Sequence, residues 1–182
     1  MNYWDTQASD FGVLSLGDSD WQRVHEYQLQ LLSERLPDEG RVLEVGGGVG
    51  RLLVPLASEN PDVEFVNLDS SEGMLREFES RSAHLKNLTS TSRVVSKFDF
   101  VYCVLVIQHN DPDSLRLLMS EITGCLKPDG HVLVQFVRGD QFCAHGPRSF
   151  DYTEEQIRAF LPGATFFKDE SDYADSWWWA EI

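Results

Sequence analysis

Arg41-Val42-Leu43-Glu44-Val45-Gly46-Gly47-Gly48-Val49-Gly50-Arg51 is the stretch that decides the architecture of this chain. Val42, Leu43 and Val45 make a short apolar strand pattern, predicted over 41 to 45, that runs straight into glycines at 46, 47, 48 and 50. Residues 51 to 58 then read as a helix, with Pro55 in its early turns. Glycine lacks a Cβ, so it admits positive φ and lets a ligand approach the backbone, while the first N–H groups of the following helix lack intrahelical partners. The spacing excludes two ligand classes. A dinucleotide turn needs glycines at its first, third and sixth positions, but the sixth is Arg51 counting from Gly46 and Leu53 counting from Gly48. No Lys-Ser or Lys-Thr pair follows at the spacing of a nucleotide-phosphate loop. What remains is Glu44-x-Gly46-x-Gly48-x-Gly50.

Working outward, Phe65 to Leu68, preceded by Val63, is the predicted second strand, and Asp69 ends it 19 residues after Gly50. A carboxylate there can accept hydrogen bonds from both hydroxyls of a ribose, as acids about 20 residues beyond the glycine turn do in nucleotide-binding α/β folds. The competing reading is that Asp69 or Ser70 caps a helix over 71 to 82. Phe98 to Ile107 is a near-continuous apolar run, expected of a parallel strand covered on both faces. Its tip, Gln108-His109-Asn110, falls where open α/β sheets bind ligands, at the carboxyl ends of the strands. Asp111 and Pro112 offer an N-cap and a first-turn proline for a helix over 113 to 126, and His131 to Val137 is the fifth strand.

These stretches resemble the class I S-adenosylmethionine-dependent methyltransferase family. Glu44-x-Gly46-x-Gly48-x-Gly50 matches its first motif and Leu68-Asp69-Ser70-Ser71-Glu72-Gly73-Met74-Leu75 its second. Phe98-Asp99 opens its fourth, and Leu126-Lys127-Pro128-Asp129-Gly130 leads into a family-like fifth strand. The resemblance covers 41 to 137 by motif and the rest by order of elements. It implies a Rossmann-like, doubly wound α/β sheet of seven strands, parallel except for the last, in the order 3-2-1-4-5-7-6. It also implies S-adenosyl-L-methionine as cofactor, bound by Glu44, Gly46, Gly47, Gly48, Gly50, Asp69, Ser70, Met74 and Val106, with no metal. Residues 83 to 97 depart from the family. They offer a weak strand over 85 to 89 and hydroxyls at Thr89, Ser90, Thr91 and Ser92 where the family places an acidic residue at the adenine. A hydroxyl or a backbone group then substitutes for that carboxylate, or the adenine edge is more exposed.

The 182 residues suit one domain with one substantial core. With 30 Asp and Glu against 15 Lys and Arg, the net charge of −15 repels polyanions, which argues against nucleic acid and anionic membrane as partners. Cys103, Cys125 and Cys143 are odd in number and lack C-x-x-C spacing, so neither a disulfide framework nor a zinc ribbon is indicated, and a reducing cytoplasm fits. The first dozen residues show no basic region leading into an apolar one, and no apolar run is long enough to span a bilayer. The expectation is a soluble cytoplasmic protein.

Ser19-Asp20-Trp21-Gln22 has capping-box spacing, and Val24, Tyr27, Leu31 and Leu36 recur at helical intervals, predicting a helix over 20 to 36. Residues 1 to 36 are thus expected to form a lid segment and a packed helix, and residues 37 to 182 a single domain. Thr153-x-x-Gln156 caps a helix to about Leu161. Ala164 to Lys168 and Trp177 to Ile182 read as a terminal antiparallel pair, with Trp177 and Trp179 on one face and Trp178 on the other, filling core. His109 is the candidate acid-base residue because imidazole titrates near neutrality, the alternative being a structural or pocket-lining role. The acceptor pocket is expected to form from Tyr3 and Trp4 of the N-terminal stretch and from Arg138, His145 and Arg148 of the polar connection after the fifth strand. Ion pairing of both arginines with the acidic surface is the competing explanation. The expected function is methylation of a small polar metabolite at oxygen or nitrogen. The alternatives are a protein or peptide substrate, or a cofactor-binding subunit without activity.

Overall fold

The computed structural model describes residues 3–8, 19–93, 96–171 and 173–182. Much of the expected lid, residues 1–2 and 9–18, lies outside the described residues. A 3-10 turn, Tyr3–Thr6, precedes α1 (Ser19–Ser33), β1 (Gly40–Val45), α2 (Leu53–Glu59), β2 (Val63–Leu68), α3 (Glu72–Ser82), β3 (Leu88–Thr91) and β4 (Phe98–Cys103). A second 3-10 turn, Ile107–His109, leads to α4 (Pro112–Gly124) and β5 (Leu126–Val137). A hairpin of β6 (Cys143–Gly146) and β7 (Ser149–Asp151), then α5 (Glu154–Phe160), β8 (Thr165–Lys168) and β9 (Trp177–Glu181) complete the chain.

Strand periodicity puts the residues of β1 and β4 alternately on two faces. Val42, Phe100 and Tyr102, with Phe65, Leu133 and Trp179, pack under Leu31 and Leu32 of α1, Leu53 and Leu56 of α2, and Phe78 of α3. Leu43, Val101 and Cys103, with Val132, Val134 and Phe136, pack under Leu115, Met119 and Ile122 of α4 and Ile157 of α5. The seven-stranded sheet runs β3-β2-β1-β4-β5-β9-β8, parallel from β3 to β5 and antiparallel beyond. The β6–β7 hairpin stands outside it, so β8 and β9 are its sixth and seventh strands, and the order is the expected one. Trp177 and Trp179 are buried with the α1 face, while Trp178 turns the other way. Among the described residues no helix is long and apolar enough to cross a membrane.

Several expected boundaries move, each for a physical reason. The fourth strand stops at Cys103 rather than Ile107, because Leu105 adopts φ 59 and turns the chain into the 3-10 turn at 107–109. α1 ends at Ser33, short of Pro37. The weak third strand lies over Leu88–Thr91, after Leu85 N–H has closed the end of α3 on the Ser82 carbonyl. β5 starts at Leu126, its register against β4 shifting between Phe98 and Phe100. The polar connection expected after it folds back as the β6–β7 hairpin.

Candidate active site

The glycine turn is shaped by what surrounds it. Gly46, Gly48 and Gly50 adopt φ values of 72, 53 and 80, a region L side chains rarely enter. At Gly46 a Cβ would also lie 2.5 Å from Cγ2 of Val106, which places that valine against the turn from the tip of β4. At Gly47 a Cβ would lie 2.5 Å from Oδ1 of Asn67 and 2.8 Å from Oε2 of Glu44. Both oxygens are enclosed and lack a well-formed hydrogen bond, as does the Tyr102 hydroxyl. Burial pushes the Glu44 carboxyl up to about 7, against the pull of Arg51, the Tyr102 hydroxyl and the Leu53 backbone. Arg51 Nη2 donates to Oε1 of the buried Gln28 at 2.6 Å, and its Nη1 lies 3.1 Å from Nδ1 of His25. Since guanidinium only donates, that His25 nitrogen accepts, and burial with Arg51 alongside lowers the His25 pKa.

Asp69 ties the tips of β1 and β2 together. Its Oδ2 accepts from Gly48 N–H at 3.0 Å and its Oδ1 from Ser71 N–H at 2.8 Å. Burial raises its pKa, the backbone donors of Ser71, Gly48 and Ser70 oppose the rise, and the nearby Asp5 adds to it. The cap of α3 is neither Asp69 nor Ser70 but Ser71, whose hydroxyl accepts from Met74 N–H. Asp5 completes that helix end: its Oδ1 accepts from Ser71 Oγ at 2.7 Å and from Gly73 N–H at 3.0 Å. Met74 is buried with Sδ facing Gly48, and Ser70 is exposed. Asp69→Ala should therefore weaken cofactor binding by about 1.5 to 3 kcal/mol through loss of charge-assisted hydrogen bonds. Calorimetry checks this, and an unchanged affinity would reduce Asp69 to a turn-forming residue.

On the other side of the glycine turn, four of the expected acceptor-side residues meet. Trp4 packs with Ala8, Val49 and Met74, and its ring centroid lies 5.1 Å from that of His109. Tyr3 lies edge-on to Trp4 and carries the Arg148 guanidinium 3.7 Å above its ring. His109 Nδ1 is 2.9 Å from the Arg148 carbonyl oxygen. Arg138 and His145 are drawn away. Arg138 pairs with Glu154 at 3.0 Å and covers the Trp178 ring, and His145 pairs with Asp151 at 2.6 Å within the hairpin. Of the two arginines, ion pairing with the acidic surface prevails for Arg138, while His145 is held by its hydrogen bond to Asp151.

Comparison with known proteins decides the family. The sequence profile described as a methyltransferase domain matches residues 20–182. The chain belongs to the S-adenosylmethionine-dependent methyltransferase family. A search of curated proteins finds no match. Among solved structures, this methyltransferase is similar to magnesium protoporphyrin IX methyltransferase from Synechocystis PCC 6803 with bound SAM, at 20% identity and TM-score 0.74 over 98% of this chain and 92% of that one. It is also similar to the N-methyltransferase NodS from Bradyrhizobium japonicum WM9, at 18% identity and TM-score 0.71 over 91% and 97% of the two chains. A third likeness is the glycopeptide N-methyltransferase MtfA, at 17% identity and TM-score 0.67 over 87% and 89%.

S-adenosylmethionine is the cofactor of this methyltransferase, and the residues present fit it. The ligand carries a sulfonium and an ammonium, and the turn without Cβ atoms stands over two enclosed acceptor oxygens, Glu44 Oε2 and Asn67 Oδ1, that lack a well-formed hydrogen bond among the described residues. Asp69 retains acceptor capacity for ribose hydroxyls beyond the backbone donors of Ser71, Gly48 and Ser70. At the departing third motif, the half-buried Thr91 is engaged locally: its hydroxyl donates to the Arg93 carbonyl and accepts from Arg93 N–H. Asp5, Gln28, Arg51 and Asn67 escaped the sequence reading. Gln28 alone left a signal, as a polar residue four positions from both Val24 and Leu32 on the apolar stripe of α1.

Proposed function

We propose that this methyltransferase modifies a small polar metabolite at oxygen or nitrogen, with residues 37–182 as the catalytic unit and the N-terminal segment as its cover. The observation that carries this reading is the bond between His109 Nδ1 and the Arg148 carbonyl. A carbonyl only accepts, so Nδ1 holds the hydrogen and the neutral ring keeps a lone pair on Nε2. Trp4 packs edge-on beside that ring, with centroids 5.1 Å apart.

The bound cofactor supplies an electrophilic methyl group on a positively charged sulfur. The glycine turn, Glu44 and Asp69 would hold it so that this methyl is offered to the acceptor's oxygen or nitrogen lone pair. His109 Nε2 takes the proton the acceptor gives up. Alignment of the partners supplies most of the acceleration, which the rigid strand tips of β1, β2 and β4 provide. The acidic surface keeps polyanionic macromolecules away.

Incubation with methyl-labelled cofactor and a cell extract, divided into small-molecule and macromolecular fractions, tests the reading. Label in the small-molecule fraction is expected. Label confined to protein or peptide would replace the proposed acceptor class, and cofactor binding without transfer would indicate a subunit that serves a partner.

A further inference from the structure

Arg148, like Arg158 over Phe166, lies on an aromatic ring rather than against a carboxylate, and of the two Arg148 is the one joined to His109. Among the described residues Arg23, Arg35, Arg41, Arg76, Arg81, Arg116 and Arg138 each pair with a carboxylate. With acids outnumbering bases 30 to 15, pairing is the ordinary fate of a surface cation here. No described carboxylate pairs with Arg148. Its guanidinium carbon lies over the Tyr3 ring, 3.7 Å from the centroid, and a guanidinium held on a ring still directs N–H donors outward in its own plane. The same residue's carbonyl fixes His109, so the donor fork and the imidazole are joined through one backbone unit. Tyr3 and Trp4 form an aromatic wall that spans the two.

We propose, resting on the reading above, that Arg148 is an acceptor-binding residue that anchors a carboxylate or phosphate group of the substrate. The reactive oxygen or nitrogen is thereby presented toward Nε2 of His109. A bidentate pair between a guanidinium and an oxyanion fixes orientation as well as distance, which an in-line methyl transfer requires. The Tyr3 ring holds the fork at low entropic cost before the acceptor arrives. Carboxylate and phosphate share this recognition chemistry, and the test separates them.

Ligand-observed NMR titrations, with and without S-adenosylhomocysteine, would compare 4-hydroxybenzoate and phenyl phosphate with phenol, rings of one size that differ in charge. At least one of the two anions is expected to bind about tenfold tighter than phenol, and Arg148→Gln to remove that preference. The tighter anion names the group. Arg148→Lys should restore only part of the preference, because an ammonium cannot bind in bidentate fashion. Equal binding of anion and phenol, or a preference intact in Arg148→Gln, would overturn the proposal. Arg148 is exposed, so thermal melts of both variants should match wild type. Failure of S-adenosylhomocysteine itself to bind in calorimetry would count against the cofactor assignment, a separate outcome from failure of the anion preference.

Discussion

A His109→Ala variant is expected to turn over about two to four decades more slowly, with cofactor affinity unchanged. His109 sits in the 3-10 turn just past the tip of β4, its tautomer set by the Arg148 carbonyl, and Trp4 covers one side of its ring. Its side chain meets Trp4 and the Arg148 carbonyl rather than the glycine turn or Asp69, and its bond to the Val106 carbonyl is made by the backbone N–H that alanine keeps, so the loss should fall on turnover and spare cofactor binding. A steady-state assay of the variant with calorimetry alongside separates the two. A loss below about tenfold would leave His109 a wall of the pocket rather than a base.

The second large effect concerns Glu44. Its carboxyl titrates at about 7 in the folded protein against 4.5 ordinarily, with burial the main cause. Between those values the folded chain holds a proton that the unfolded chain has released, so stability falls as pH rises from about 4.5 to 7 and stays lower above that. The difference amounts to about 3 kcal/mol. Glu44→Gln should flatten this slope and stabilise the free protein by up to that amount at about pH 8. The same substitution removes an anion from beneath the turn that receives a cationic ligand, so cofactor binding should weaken. Urea unfolding at several pH values, with calorimetry, checks both halves. A pH slope that survives in Glu44→Gln would assign it to another group.

Much of the fold was legible because its signals are local. The glycine spacing, the β1 and β4 apolar runs and the Asp111-Pro112 start of α4 each depend on a few neighbouring residues, and all reappear in place. The end of β4 was not legible, because hydrophobicity at Val104, Leu105 and Val106 reports burial and is silent about a left-handed φ. The β6–β7 hairpin was hidden by its exposure, which leaves no alternating pattern to read. In the site, the motif residues were found, but Arg138 and His145 were placed by loop position alone, and their carboxylate partners Glu154 and Asp151 decide otherwise. Arg51 and Asn67 act through partners distant in sequence, Gln28 and Gly48, a relation that only folding creates.

Asp5 gives the N-terminal turn a second consequence. The carboxylate that closes the end of α3 stands close enough to Asp69 to raise its pKa, so the N-terminal turn and the corner expected to hold the ribose share one electrostatic environment. Free energies of this kind are reciprocal: whatever the docked N-terminal turn adds to cofactor affinity, bound cofactor returns to the docking of that turn. The acceptor, anchored in our proposal by Arg148 of the β6–β7 hairpin stacked on Tyr3 of that turn, enters the same cycle. Its affinity is then a property of the cofactor-loaded protein, and a search for acceptors in the free protein would underestimate every one of them.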